Sequence, residues 1–364
     1  MKKTAAYQTI YQELVQKILA GQWSCGDLLP TEAALAKEYG VSRITSRHAL
    51  QLLADNGYIR RVQGKGSIVV NEKRTIPMIG LALTGFDSLF GMDFVRGVFC
   101  EAAERGYLVL MHTGYLTPES EGSCLRRLKA AGVEGIISVP LYDSLHYSSE
   151  LELLPKEIPM VFADRRVVGV DVPLVCTDNT QSVKQLYRHL WSCGYRKIAF
   201  VSSTPDSTAV ADRLRGYLQS APPGEEQERR LLLTSLRSPL PGMDNAENCA
   251  YDIKQIEQFL LLNQDVEAVI AHTYKVAQLV RTTAEKLGLC IPRDLAIVCF
   301  DAPRGVEREP FAHISQNEYE IGAKSVQRLL DSIGGHSVPD TTYVSAVFVD
   351  GNSYLHEKDQ KTKE

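Results

Sequence analysis

The sequence predicts an α/β protein in two parts, a small N-terminal winged helix-turn-helix and a larger, two-lobed body built on parallel sheets. Two observations predict this. The segments Leu29-Pro30-Thr31-Glu32, Val41-Ser42-Arg43 and Gly64-Lys65-Gly66 follow one another at spacings that fit two helices and a hairpin. From Met78 to Phe300, short apolar runs alternate with stretches of helical periodicity, as in parallel sheets that are covered on both faces.

Length and composition set the domain boundaries. The chain has 364 residues, of which 44% are apolar, and is long enough for two or three structural units. We expect a first domain at 1–71, a polar linker closed by proline at 72–77, a second domain at 78–355 and a polar tail at 356–364.

Each helix of the N-terminal pair has a start signal. Pro30 suits a first helical turn, where its missing N–H costs nothing, and Thr31 and Glu32 add capping and dipole interactions. Gly40 ends this helix, and Ser42 opens the next one. The second helix turns an apolar side inward, through Ala49, Leu50, Leu52 and Leu53. The residues near its start are short, polar or cationic, as readers of base edges in a major groove are: Ser42, Arg43, Thr45 and Arg47.

A hairpin follows the turn signal Asn56-Gly57. Its strands are expected at 58–62 and 67–70. The glycines of the connecting turn let backbone approach a sugar-phosphate surface closely, and Arg60, Arg61 and Lys65 supply positive charge there. The hairpin is therefore expected to act as a wing.

With these pieces in order, and with an upstream helix at 10–20, residues 7–70 resemble a GntR-type winged helix-turn-helix. The resemblance implies binding to double-stranded operator DNA. Ala33 stands where many relatives have arginine and Ile44 where a hydroxyl residue is common, so the base preference does not carry over. Each piece alone also fits a solvated face or an ordinary turn. The residues implied in DNA contact are Thr31, Ser42, Arg43, Thr45, Arg47, Gly64 and Lys65.

The charge is divided in the same way. Residues 1–75 contain eleven basic and six acidic residues, a balance of +5, whereas the whole chain carries −4 and the remainder therefore −9. A cationic first domain on an anionic body favours one orientation on a polyanion.

Composition excludes several other classes of protein. No apolar stretch is long enough to cross a bilayer and no secretory apolar run follows the N-terminus, so a cytoplasmic location is expected. The eight cysteines are scattered without a Cys-x-x-Cys pair, which favours reduced, mostly packed thiols. No zinc site and no cofactor are expected.

The body alternates strands and helices, which predicts two successive lobes, each with a parallel sheet. Strands are expected at 78–84, 107–112, 135–139, 160–163, 197–202, 230–234, 268–271 and 295–300, with helices at 93–105, 119–131, 181–192, 206–219, 246–262 and 276–287. The stretches 221–228 and 235–245 are loops without recognisable chemistry.

A second resemblance covers residues 78–355, which look like the periplasmic-binding-protein-like effector domain of LacI/GalR-type repressors. The combination with the first domain is similar to the arabinose-repressor class. The segments that carry the likeness include Gly132-Val133-Glu134-Gly135, Phe162-Ala163-Asp164-Arg165, Thr177-Asp178-Asn179, Gly216-Tyr217 after Arg213, and Phe300-Asp301 after Ile291-Pro292.

In this fold a ligand binds between the lobes, at the carboxyl ends of the strands. Phe90 could offer an aromatic face to a sugar ring or could simply pack. Asp164 and Arg165, Arg213, and Asp301 could bind vicinal hydroxyl groups, because a carboxylate or guanidinium serves two oxygens at once. The alternative for each charged residue is a salt bridge between the lobes without ligand.

Two positions depart from the family pattern, so the resemblance does not determine the identity of the ligand. Tyr274, with His272 nearby, stands where relatives carry aspartate, and we include Tyr274 among the effector-binding candidates. Cys299 replaces a common glycine. Asp178 and Asn179 are expected to cap a helix rather than to contact ligand.

The favoured function is a ligand-responsive transcriptional regulator, a homodimeric repressor that a small sugar or sugar derivative releases from its operator. One alternative keeps the regulator but makes the ligand a co-repressor or an activating signal. A solute-binding protein of a transport system would fit the body alone. An enzyme is disfavoured because no nucleophile elbow, phosphate loop or metalloprotease motif is present.

Overall fold

The computed structural model describes residues 6–70, 76–84, 91–142, 147–205, 207–220, 231–302 and 311–355. The chain divides into two compact units, residues 1–76 and 77–364. Most of the linker expected at 72–77 and all of the tail at 356–364 lie outside the described residues.

The first unit has the predicted helix-turn-helix and hairpin. Its elements are α1 (Ala6–Leu19), α2 (Glu32–Glu38), α3 (Arg43–Asp55), β1 (Ile59–Val62) and β2 (Gly66–Val69). The two strands pair antiparallel, with Val62 opposite Gly66. The inner faces of the three helices meet in one apolar core, because their buried residues recur at helical spacing: Ile10, Leu14, Leu35, Ala49, Leu50 and Leu53.

The second unit alternates strands and helices. In chain order its elements are β3 (Met78–Leu83), α4 (Met92–Glu104), β4 (Leu108–Thr113), α5 (Pro118–Ala130), β5 (Ile136–Ser138), α6 (Glu150–Leu153), β6 (Met160–Ala163), β7 (Leu174–Thr177), α7 (Asn179–Ser192), β8 (Ile198–Ser203), α8 (Thr208–Leu218), β9 (Leu232–Leu236), α9 (Ala246–Leu262), β10 (Ala268–Ala271), α10 (Tyr274–Lys286), β11 (Ala296–Phe300), β12 (Ala312–Ser315), α11 (Glu318–Ile333), β13 (Thr341–Val344) and β14 (Val347–Val349).

These strands form two six-stranded sheets. The first has the order β13-β7-β6-β5-β3-β4 and is parallel throughout. The second has the order β14-β12-β11-β10-β8-β9, in which only the β12–β14 pair is antiparallel. Each sheet separates two apolar clusters, so both of its faces are covered, as the near-continuous apolar strands predict. We call the first sheet with α4, α5, α6 and α11 the first lobe, and the second sheet with α7 to α10 the second lobe.

The lobes are not successive in the chain, which corrects the sequence prediction. The chain leaves the first lobe after β7, returns after β12 to form α11 and β13, and leaves again to form β14. The sequence pattern predicts no strand at Leu174–Thr177 and no element after Phe300, so it does not indicate these crossings. Two crossings coincide with helix caps, because Asp178 caps α7 and Asn317 caps α11.

Two glycines bring α4 and α11 into close contact. A Cβ on Gly97 would collide with the carbonyl oxygen of Tyr319, and one on Gly322 would collide with that of Phe94. Only glycine lets the two helix backbones approach this closely, and the contact fastens the returning helix to the first lobe.

The eight cysteines all lie in described segments, and none forms a disulfide. The expectation of mostly packed thiols holds for half of them, since Cys124, Cys176, Cys193 and Cys299 are buried. Burial raises the pKa of Cys124 and of Cys176 to about 12. Among the described residues, no helix combines the length and the apolar character needed to cross a membrane.

Candidate DNA-binding surface and ligand pocket

The helix starts of the first unit are held by side-chain caps. Thr31 Oγ1 accepts a hydrogen bond from the Ala34 N–H at 3.2 Å, and Ser42 Oγ accepts one from the Thr45 N–H at 3.1 Å. Ser42 Oγ also lies 2.8 Å from Thr45 Oγ1. Three of the predicted DNA contacts therefore also determine where α2 and α3 begin.

Buried Ser46 joins the two helices. Its hydroxyl donates to the carbonyl oxygen of Glu32 at 2.8 Å and so fastens α3 to the start of α2. Elsewhere in the first two turns of α3, Arg43, Ile44 and Arg47 are exposed. The cationic start of α3 thus faces away from the core of its own unit.

Glu32 links α3 to the wing. Its carboxylate accepts from Arg47 Nε at 3.1 and 3.2 Å and also forms an ion pair with Arg61 of β1. Burial raises the pKa of Glu32, but the hydrogen bonds from Arg61 and Arg47 outweigh it and leave the pKa below its usual value. From the sequence, Glu32 is predicted only to begin a helix, because no local spacing indicates partners this far along the chain.

The wing turn has the backbone that its glycines allow. Gly64 and Gly66 have φ of 77° and 103°, in the left-handed region. Lys65 lies between them and is exposed, as are Arg60 and Arg61. The structure therefore places every predicted DNA-contacting residue on the first unit, near α3 or at the wing.

A pocket of about 540 Å³ lies between the two lobes of the second unit. Five of the six predicted effector residues line it, and the sixth, Phe90, lies outside the described residues. The first lobe contributes Thr84, Leu116, Asp164 and Arg165, whereas the second contributes, among others, Ser203, Arg213, Ser238, His272, Tyr274, Lys275 and Asp301.

Two aspartates at this pocket have an unusual backbone. Asp164 directly follows β6 with φ 64°, and Asp301 directly follows β11 with φ 58°. Within the described part of the chain, these are the only non-glycine residues with positive φ. Such backbone is strained and persists where the surrounding structure holds it, often at functional sites. The strand ends of both lobes therefore present carboxylates to the same pocket.

Arg213 is held rigidly at the pocket although it is 95% buried. Its Nε donates to Asn179 Oδ1 at 2.8 Å and its Nη1 donates to the His272 carbonyl at 2.6 Å. The guanidinium lies 3.9 Å from the centre of the Phe300 ring. Burial lowers the pKa of Arg213, and the nearby Asp301 partly offsets this. Asn179 is predicted only to cap a helix, but it also orients Arg213, a candidate effector-binding residue.

Asp301 and Asp164 each have a polar neighbour. Asp301 Oδ2 accepts from Gln316 Nε2 at 2.8 Å, and Asp164 Oδ2 accepts from Arg165 Nε at 3.0 Å. Burial raises the pKa of Asp301, against the opposing effect of Arg213. Both carboxylates are fixed in orientation before any ligand arrives.

The pocket also has three neutral polar atoms on residues outside the predicted effector-binding set. His272 Nδ1, Gln316 Oε1 and Ser238 Oγ are buried, and none has a hydrogen-bond partner among the described residues. Burial, together with the charge of Arg213, lowers the pKa of His272 to about 3, so its imidazole is neutral at physiological pH. His272 directly follows β10, a strand that the sequence predicts, so its position could have indicated it in the same way as that of Asp164. Gln316 directly follows β12, which the sequence does not predict. Buried polar groups without partners commonly meet a ligand or water.

One wall of the pocket is a loop that the sequence left without a role. Asp252, fully buried on α9, accepts from the Arg237 and Ser238 N–H groups at 2.8 Å each. Lys275 Nζ donates to the Ser238 carbonyl at 3.1 Å and pairs with Asp244 at 2.5 Å. The segment therefore has a fixed shape, and it contributes Pro239, Leu240 and Pro241 to the pocket.

Two family models match the chain. Residues 6–69 match bacterial regulatory proteins of the gntR family, and residues 187–354 match the periplasmic binding protein-like domain. The chain joins a GntR-type domain to a periplasmic-binding-protein-like domain. The surface built by α3 and the wing belongs to the GntR-type domain, and the pocket belongs to the second unit.

One curated relative is similar along almost the whole chain. The arabinose metabolism transcriptional repressor of Geobacillus stearothermophilus is 26% identical over 348 residues, which is 93% of either chain. Two solved structures have the same fold. The transcriptional regulator CelR in complex with cellobiose aligns over 89% of this chain and all of its own, with 20% identity and TM-score 0.62. The lac repressor dimer bound to operator and an anti-inducer aligns over 76% and 94%, with 18% identity and TM-score 0.62.

Proposed function

We propose that the protein is a transcriptional repressor that binds operator DNA as a homodimer and releases it when a small, neutral sugar occupies the pocket between the lobes. The observation that carries this proposal is the pocket, where two strained aspartates and an oriented arginine converge in a chain that also has a GntR-type domain. The whole-length relative is a repressor of arabinose metabolism, which supports the same function.

The charges at the pocket support a neutral ligand. Arg165 pairs with Asp164, and Lys275 pairs with Asp244. Arg213 lies close enough to Asp301 that each shifts the pKa of the other. Three cations are thus matched by three carboxylates, and His272 is uncharged. The phosphate of a sugar phosphate would have no cation without a carboxylate partner to bind. A neutral sugar, in contrast, can form hydrogen bonds with the carboxylates, the guanidinium and the three neutral polar atoms.

The first lobe supports assembly as a homodimer. The edge strand β4 exposes Leu108 and Leu110, and neighbouring α4 exposes Met92 and Phe99. An apolar surface of this kind is typical of a protein–protein contact. A single winged helix reads a short half-site, so two are needed for useful affinity. The structural neighbour bound to operator is a dimer.

Allosteric release follows if ligand changes how the lobes are arranged and hence the contact between the two copies. A coupling of about 1–3 kcal/mol would lower operator affinity roughly 5- to 150-fold. Because operator DNA is the partner, we place the protein in the cytoplasm. We also infer that the protein is a ligand sensor rather than an enzyme, since the relative that aligns with 93% of the chain is a repressor.

The test is a thermal-shift screen of full-length protein with neutral monosaccharides and their phosphates, followed by operator binding with each stabilising compound. We expect at least one neutral sugar to raise Tm and to weaken operator binding, without being consumed. Equal operator affinity with and without every stabilising compound would contradict the switch. Stronger binding with sugar would favour the co-repressor alternative, and turnover of the sugar would favour an enzyme.

A further inference from the structure

The side chains near the start of α3 are mostly engaged within the first unit. The hydroxyls of Ser42 and Thr45 contact each other, and Arg47 is held by Glu32. His48 stacks on Tyr7 with the ring centres 4.1 Å apart. These residues are restrained before DNA arrives.

Arg43 and Ile44 differ from them. Among the described residues, the Arg43 side chain has no hydrogen bond or ion pair, and Ile44 is 77% exposed. A β-branched residue gains nothing from an exposed helical position, because its χ1 freedom is restricted there and it buries no surface. The packing of the first unit therefore gives no reason for isoleucine at this position.

We propose that Ile44 is a specificity-determining residue that contacts the 5-methyl group of a thymine in the major groove of the operator. This inference rests on the proposed function, in which the start of α3 reads DNA. The major groove presents hydrogen-bond donors and acceptors on every base pair, and its one apolar feature is the thymine methyl group. Serine or threonine at this position could form hydrogen bonds with several bases, whereas the isoleucine side chain can form none.

The neighbouring residue limits where this thymine lies. Arg43 directly precedes Ile44 and carries a guanidinium suited to the O6 and N7 atoms of guanine. Both side chains project from the same first turn of α3, so they reach base pairs of the same half-site. The operator half-site therefore contains a thymine close to a guanine, and the thymine is recognised by its methyl group.

The experiment begins by selecting high-affinity duplexes from a random pool with full-length protein. Each thymine of the selected operator is then replaced in turn by deoxyuridine, which removes only the methyl group. We expect one thymine position in each half-site to be sensitive. Replacing that thymine in one half-site should lower affinity about fourfold, which is the hydrophobic contribution of one methyl group, and replacing it in both should lower affinity roughly 15-fold. The loss should not depend on salt, because no charge is removed.

The Ile44→Ser and Ile44→Val variants decide whether Ile44 causes this loss. We expect Ile44→Ser to bind thymine and deoxyuridine operators equally, and Ile44→Val to keep most of the discrimination. Thermal melting checks that both variants fold, as the exposed position predicts. The inference is overturned if no thymine is sensitive, or if Ile44→Ser retains the full loss. Failure to select any sequence would instead overturn the proposed function, and this inference with it.

Discussion

Glu32 Oε2 lies 3.1 Å from Arg47 Nε, and the same carboxylate pairs with Arg61 of the wing. One residue at the start of α2 thus connects α3 and the hairpin. The pairs are partly exposed and contribute little to stability. Their consequence is geometric, because one carboxylate holds the two guanidinium groups in a single arrangement.

We expect Glu32→Gln to reduce operator specificity while leaving the fold stable. The variant removes a negative charge from the proposed DNA-binding surface, so affinity for random duplexes should rise, and Arg47 and Arg61 lose their ion pairs with residue 32. The ratio of specific to nonspecific affinity should fall several-fold, as measured by competition at fixed salt. Glu38→Gln is the matched control, since Glu38 lies at the far end of α2 and pairs with Lys17. An unchanged ratio in Glu32→Gln would show that the link has no role in recognition.

The two sites should be separable by substitution. We expect Arg47→Ala to abolish operator binding and to keep the thermal shift caused by sugar. Asp301→Asn should do the opposite, because it removes the carboxylate charge beside Arg213 while asparagine still tolerates the left-handed backbone. Each variant serves as the control for the other. If both changes affected both assays alike, the separate roles assigned to the two units would be wrong.

His272 should make the ligand-free protein less stable in mild acid. Its folded pKa is about 3 against a usual 6.5, so the unfolded chain binds a proton between these values and the folded protein does not. Protonation of His272 in the unfolded chain does not affect the free energy of unfolding above about pH 6.5. Below that pH it lowers the free energy of unfolding progressively, by about 2 kcal/mol at pH 5.

The measurement compares melting at pH 7 and pH 5 for the wild type and His272→Asn. We expect the variant to lose less Tm on acidification. Asp301 and Glu121 have raised pKa values and act in the opposite direction, but both are present in the two proteins. An equal decrease in Tm for the two proteins would show that His272 is already protonated or exposed in the folded state.

The apolar surface of β4 and α4 should hold the dimer together. We expect Leu110→Lys to weaken self-association at least about tenfold, because it places a charge in a contact that excludes water. Sedimentation velocity measures the dissociation constant, and operator affinity should fall with it. Leu153→Lys is the control, since Leu153 is also exposed but lies on α6. Unchanged sedimentation of Leu110→Lys would place the interface elsewhere.

Local signals predicted most of the fold. Caps such as Ser42, glycine stops such as Gly40 and four-residue apolar runs such as Met160–Ala163 each act over a few residues, so their positions could be read from the sequence. The return of the chain to the first lobe could not be predicted from the sequence. The positions of α11 and β13 depend on contacts with residues much earlier in the chain, such as the close approach of Tyr319 to Gly97.

The candidate sites divide in the same way. Asp164, Arg213 and Asp301 could be predicted because they follow strands or recur in a family motif. The bridge from Glu32 to Arg61 could not, since 28 residues separate the partners. The ordered wall at 237–245 was missed because it depends on Asp252 and Lys275, which lie on later helices and show no pattern in the loop itself.

The crossings between the lobes also set an order of events on the ribosome. Residues 6–70 contain every described element of the GntR-type domain, so all of them have been synthesised before the second unit begins. The first lobe, in contrast, needs α11 and β13, which are made only after the other lobe has been almost completely synthesised. A chain that stops before residue 318 would therefore carry all the described elements of the GntR-type domain but an incomplete first lobe, without the helix and the strand that finish one side of the pocket.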